Sequence, residues 1–187
     1  KEGQDKQNLI WLDYDEAKCL IMSQRFEQAR DCVIPVLRKK QTESWAWGAL
    51  AATYQQEAPN VAVRLFSKGL CHVHDEKFAL PLLKGLAPLL AASGNEAQAS
   101  MCVSRAVKCY ENNGWKIKAD VEKLTAQPWF DGDYNASDLS EFLESTSQGA
   151  MDLLHGPSEQ CIAIISNIHQ SGKGFWAYRD RYRDYSV

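Results

Sequence analysis

Residues 82–108 read LLKGLAPLLAASGNEAQASMCVSRAVK, and the fold turns on how this stretch divides. Leu83, Leu86, Leu90 and Val103 recur with Ala87, Ala99 and Ala106 at spacings of three and four on both sides of Gly94. That period is the turn of an amphipathic helix rather than the two-residue alternation of a strand. Gly94-Asn95 separates the halves, because both residues tolerate the left-handed backbone at which a helix stops. Small alanines at facing positions let the two helices approach closely. One helical hairpin is expected here.

The hairpin repeats along the chain. Ala17 and Ala29 stand twelve residues apart, as do Ala87 and Ala99, with Ala51 and Ala62 eleven apart between them. Ala17 to Ala51 is thirty-four residues and Ala51 to Ala87 is thirty-six. A large residue lies near the start of each first helix (Trp11 or Leu12, Trp47, Leu83). Another follows the first alanine by three (Leu20, Tyr54, Leu90), and a third follows the second alanine by four (Val33, Phe66, Val103). This arrangement resembles the tetratricopeptide repeat, whose pattern is W-x2-L-G-x2-Y, then A-x3-F, then P. The middle unit matches best, with Trp47, Leu50, Ala51, Tyr54, Ala62, Phe66 and Gly69. The closing proline is missing from all three units, and Pro35 and Pro88 fall inside helix-patterned stretches that they are expected to kink. The resemblance covers about residues 9–110. It implies a mainly α fold, an α-solenoid of about three hairpins, and the residues beyond it, by their own periods, add further C-terminal helices and a short β-hairpin.

Composition bounds the rest. With 187 residues, 45% of them hydrophobic, the chain can bury a real core and reads as one domain plus an appendage. A net charge of -3 gives no bulk electrostatic attraction to nucleic acid or an anionic membrane. No apolar run approaches the roughly 20 residues that span a bilayer, and the amino end, KEGQDKQ, is unlike a secretory signal. The opening lysine and the closing RYRDYSV suggest a piece of a longer protein. Cys19, Cys32, Cys71, Cys102, Cys109 and Cys161 form no CxxC, and most fall where a helix buries a small residue, which reads as reduced thiols in a cytoplasmic protein. Cys71, His72, His74 and Asp75 are the one metal-like cluster. A His-x-His pair on a helix points about 200° apart, so no metal site and no cofactor is expected.

Asn112-Asn113-Gly114 stops the last repeat helix, and Trp115, Ile117, Val121 and Leu124 suggest a shorter helix covering the end of the array over residues 9–126. Residues 127–157 read as a loop and an amphipathic helix. The loop, QPWFDGDYNA, has Asp131, Asp133 and Asn135 spaced like the start of a calcium loop, but Ala136 and Phe142 replace the glycine and glutamate that an EF-hand needs. Ser137 reads as the N-cap of a helix with the stripe Leu139, Phe142, Leu143, Ala150, Leu153 and Leu154, ended by His155-Gly156-Pro157.

Residues 158–187 change period. CIAIISNI (161–168) and GFWAYR (174–179) flank the turn signal Gln170-Ser171-Gly172, which predicts a β-hairpin. Lys173, Gly174 and Phe175 resemble the K-G-[FY]-G-F-[IV] opening of the cold-shock or S1-like OB-fold. Trp176, Ala177 and Tyr178 depart from that motif. The resemblance implies RNA or single-stranded DNA binding through Lys173, Phe175, Trp176, Tyr178, Arg179 and Arg181. About 27 residues cannot complete a five-stranded barrel, and aromatics packed against the helices are the alternative.

No enzyme is expected, since no motif sets His72, His74, His155 or His169 beside a nucleophile and no Gly-rich phosphate loop follows a strand. The tetratricopeptide resemblance implies a protein-binding scaffold. Its concave groove would be lined by Trp11, Tyr14, Lys18 and Met22, then Trp45, Ala52, Gln55 and Gln56, then Lys84 and Ala92. Aromatics with scattered cations suit a peptide with apolar anchors and a few acids. Tyr14 and Lys18 stand where some relatives carry a carboxylate clamp, so chaperone tails are not expected. The second reading is a nucleic-acid-associated protein whose repeats position an OB-fold. That combination resembles accessory proteins of bacterial defence cassettes.

Overall fold

The computed structural model describes residues 2–155, 163–168, 174–180 and 183–186, with side chains from Leu9 to His155. It divides into two compact units, residues 1–154 and 155–187. The first is helical, with α1 (Glu2–Met22), α2 (Phe26–Lys39), α3 (Ser44–Ala52), α4 (Pro59–Cys71), a 3-10 turn (Glu76–Phe78), α5 (Ala79–Ala92) and α6 (Glu96–Asn112). Three further helices follow: α7 (Ala119–Thr125), α8 (Ala136–Thr146) and α9 (Ala150–His155). Among the described residues, no helix is long and apolar enough to cross a membrane.

Local chemistry sets the boundaries. Pro59 opens α4, where its missing N–H is one the helix leaves unbonded anyway. Gly94, at φ +81°, separates α5 from α6, and the Asn95 N–H reaches back to the Leu90 carbonyl at 2.9 Å. Pro35 and Pro88 both lie inside helices that continue past them.

Consecutive helices pack as pairs, α1 on α2, α3 on α4 and α5 on α6, and the pairs meet through α2 with α3 and α4 with α5. Ala17, Ala29, Ala51, Ala62, Ala87 and Ala99 are all completely buried at these contacts. Glycine allows still closer approach. A Cβ on Gly69 would lie 2.5 Å from Leu82 Cδ2, and one on Gly85 would lie 2.6 Å from Phe66 Cζ. The units are not equivalent, however. Trp47 and Leu83, four residues before Ala51 and Ala87, are buried, whereas Asp13 holds the matching place before Ala17. Trp11 and Leu12 are instead exposed. Trp47 donates from Nε1 to the Gln41 carbonyl at 2.7 Å and stacks on His72, whose pKa burial pushes below the usual histidine value.

The segment after α6 departs from the expected pattern in two ways. The amphipathic stripe is broken into α8 and α9 by Gly149 at φ +75°, so it is not one continuous helix. The N-cap of α8 is Asn135, not Ser137: its Oδ1 accepts from the Ser137 N–H at 3.1 Å and the Asp138 N–H at 3.5 Å. An asparagine two residues earlier offers the capping oxygen instead. Asp131 accepts from Ser100 Oγ at 2.5 Å and from the Asp133 N–H at 2.9 Å. Its carboxyl is held below the usual range chiefly by the Ser100 hydrogen bond. Among the described residues, no three His, Cys, Asp or Glu groups are placed to hold a metal.

While α7 packs on α5 and α6 through the buried Val121, α8 turns back to lie on α4 and α6 with Leu139 and Leu143 buried. The return is anchored at its end, where the Arg38 guanidinium on α2 donates twice to the Leu154 carbonyl, at 3.2 and 3.0 Å. Residues 127–154 therefore run as a strap over the even-numbered helices. The cysteines correct the sequence reading in part: Cys102 and Cys109 are buried, but Cys32 is only half-buried and Cys19 and Cys71 are exposed. Cys161 lies outside the described residues.

In the second unit the backbone forms three strands, β1 (Ala163–Ile168), β2 (Gly174–Asp180) and β3 (Arg183–Ser186). They pair antiparallel in the order β1-β2-β3, with Ile165 opposite Trp176, Tyr178 opposite Tyr185, and an irregularity between Ile165 and Asn167.

Candidate functional site

The repeat brings equivalent positions of the odd-numbered helices to one face. Trp11, Trp45 and Pro81 each stand six residues before the first alanine of their unit, and Tyr14 and Lys84 each stand three before theirs. Trp11 of α1 stacks on Trp45 of α3, with centroids 5.3 Å apart and planes at 27°. Tyr14 meets the same indole edge-on at 4.4 Å. Such pairs add about 0.5–1.5 kcal/mol beyond the area they bury, so α1 is tied to α3 by rings as well as by helix packing.

Beside the stack lies a cleft of about 420 Å³. Tyr14 and Trp45 form one wall and Phe78, Pro81 and Leu82 the other; Gly48, Ala49, Ala52 and Gly85 leave the floor open, above Phe66. Gln55 and Lys84 stand at the rim. Its glycines are set by close packing, since a Cβ on Gly85 would collide with the Phe66 ring and one on Gly48 would press on Leu82.

The charges around it are already matched. Lys84 Nζ lies 2.6 Å from Asp120 Oδ2 of α7, an interaction that lowers the Asp120 pKa. Lys18 pairs with Asp15 at 2.6 Å and sits 4.9 Å above the Tyr14 ring; the Asp15 hydrogen bond raises the Lys18 pKa. Trp45 Nε1 donates to Glu43 Oε2 at 3.2 Å. Burial raises the Tyr14 pKa. The phenol therefore stays protonated across the physiological range.

Of the residues the sequence pointed to, Tyr14, Trp45, Ala52, Gln55 and Lys84 share this cleft. Trp11 and Lys18 reach it through the Trp45 and Tyr14 rings. Met22 is 84% exposed, and Gln56 is exposed and does not line it. Ala92 lines a separate depression beside Pro88 and Trp129. Pro81 went unnoticed although its spacing from Trp45 repeats that of Ala51 to Ala87. Phe66 and Phe78 carried no such signal, since they come from α4 and the 3-10 turn. Phe175, Trp176, Tyr178 and Arg179 lie on β2, while Lys173 and Arg181 lie outside the described residues.

Paired helices with an apolar cleft on one face and a strap on the other define a helical domain. The chain belongs to the family described as a domain of unknown function (DUF7017), whose profile matches residues 10–150, nearly the whole of the first unit. No curated protein and no solved structure matches it.

Proposed function

We propose that the protein is a non-enzymatic interaction scaffold, a solenoid of three tetratricopeptide-like hairpins that docks a protein partner on its odd-numbered helices. The observation that carries this reading is the cleft between α1, α3 and α5: aromatic walls and a glycine–alanine floor stand open there, while the even-numbered helices are covered by the chain's own strap. Apolar concavities with a few polar groups at the rim are where ligands dock. A cytoplasmic setting fits the free thiols. The test is selection of binders from a random peptide library on the whole chain. Binders should lose at least tenfold in affinity on Tyr14→Ala or Trp11→Ala with helical circular dichroism unchanged. Undiminished binding to both variants would count against the cleft.

A second reading, nucleic-acid association through the second unit, is favoured by the antiparallel order β1-β2-β3, the kind of meander that opens an OB-fold. Titration with a single-stranded oligonucleotide separates the two. A log–log slope of binding against salt near zero excludes phosphate contacts.

A further inference from the structure

We infer that the cleft takes one large, uncharged apolar side chain, presented by a peptide whose main-chain amide is read by Gln55 and Tyr14. This rests on the scaffold reading above and narrows the partner. The sequence alone suggested apolar anchors accompanied by acids, but the geometry removes the acids. Both cations near the cleft, Lys84 and Lys18, already hold carboxylates at 2.6 Å. A ligand carboxylate would only replace Asp120 or Asp15, and exchanging one carboxylate for another at a partly exposed pair gains little. The chain's net charge of -3 also disfavours an acidic ligand at long range.

Two neutral polar groups remain uncommitted. The Tyr14 hydroxyl makes no hydrogen bond among the described residues, and the Gln55 amide reaches only the Gly85 carbonyl, at a long 3.5 Å. A carboxamide and a protonated phenol lining one cleft supply both donor and acceptor, which suits a peptide amide and not an ion. Size sets the rest. At about 420 Å³ the cleft falls near the small end of ligand cavities, which span roughly 300–1,000 Å³. It therefore holds an anchor rather than a row of side chains.

The test uses the full chain and three capped peptides: Gly-Ser-Phe-Ser-Gly, the same with alanine for phenylalanine, and Gly-Glu-Phe-Glu-Gly. The Trp45 indole N–H resonance is followed by NMR. The neutral phenylalanine peptide should shift it saturably, at least tenfold more tightly than the alanine peptide and equally at about 50 and about 500 mM salt, on either side of full screening. Ala52→Phe, which fills the floor, should abolish the shift with helicity unchanged, and Gln55→Ala should weaken it. Tighter binding of the glutamate peptide, lost on Lys84→Gln, would overturn the neutral anchor while leaving the scaffold reading intact. So would a silent Trp45 resonance, if library-selected binders still depend on Tyr14. If those binders ignore Tyr14 and Trp11 as well, both readings fall.

Discussion

The even- and odd-numbered helices of the first unit come from one alternating pattern, yet their surfaces end differently. Over α4 and α6 the chain lays its own α8, burying Leu139 and Leu143. On α1, α3 and α5 it leaves aromatic rings around an unfilled cleft. The covered face also hides two polar groups. Among the described residues, the Ser67 hydroxyl on α4 and the Ser104 hydroxyl on α6 are buried with no hydrogen-bond partner. Ser104 lies one turn beyond Ser100, which holds the strap through Asp131, and so shares its side of α6. Around the cleft, by contrast, Lys84 and Lys18 are each paired with a carboxylate. The strap thus covers a surface at a cost in desolvated hydroxyls, while the cleft has both nearby lysines paired and keeps two neutral polar groups, Gln55 and Tyr14, in its lining.

The largest test of this contrast removes an anchor of the strap. Leu143→Ala should cost about 2–5 kcal/mol, lowering the melting temperature by about 5–15 °C. Hydrogen exchange should show α8 losing protection before α1 and α3 do; simultaneous loss in all three would merge the two faces into one cooperative block. On the other face, Gly85→Ala drives a methyl into the Phe66 ring. Overpacking costs about 1–3 kcal/mol and better helix propensity returns about 1, so a net loss of up to about 2 kcal/mol is expected in urea unfolding. Any gain in stability would mean that Phe66 has room to retreat.

Ser67→Ala and Ser104→Ala should each stabilise by about 1 kcal/mol, because removing an unpartnered buried hydroxyl removes its desolvation penalty. The urea midpoint should rise with an unchanged slope, and a fall would reveal a partner for the hydroxyl. The smallest effect is electrostatic. Asp131 has a folded pKa below its unfolded value, mainly through Ser100. Its contribution is therefore full above about pH 4, the unfolded carboxylate range, and is lost as pH falls through the lower folded value. In Asp131→Asn the acid-induced loosening of the strap, followed by exchange in α8, should shift or flatten in that window. An unchanged profile would assign it to other carboxylates.

Several features could be read directly from residue order. The helical periods, the Gly94 break, the thirty-four-residue recurrence and the burial of six alanines follow from local spacing, because a helix surface repeats every turn and small residues mark where two backbones meet. The tetratricopeptide resemblance named Tyr14, Trp45, Ala52, Gln55 and Lys84 as groove residues, so part of the cleft was legible. The rest was not. No local signal separates a helix that caps an array end from one that folds back across it, and the return of residues 127–154 depends on contacts such as Arg38 with Leu154, which lie 116 positions apart. Likewise, Lys84 looks like a free cation until Asp120 is seen beside it. Residue order determined which helices form and which of their faces turn inward, since those depend on neighbours a turn away. Only the tertiary structure decided which face stays open and which charges remain free, because both depend on partners brought together from distant parts of the chain.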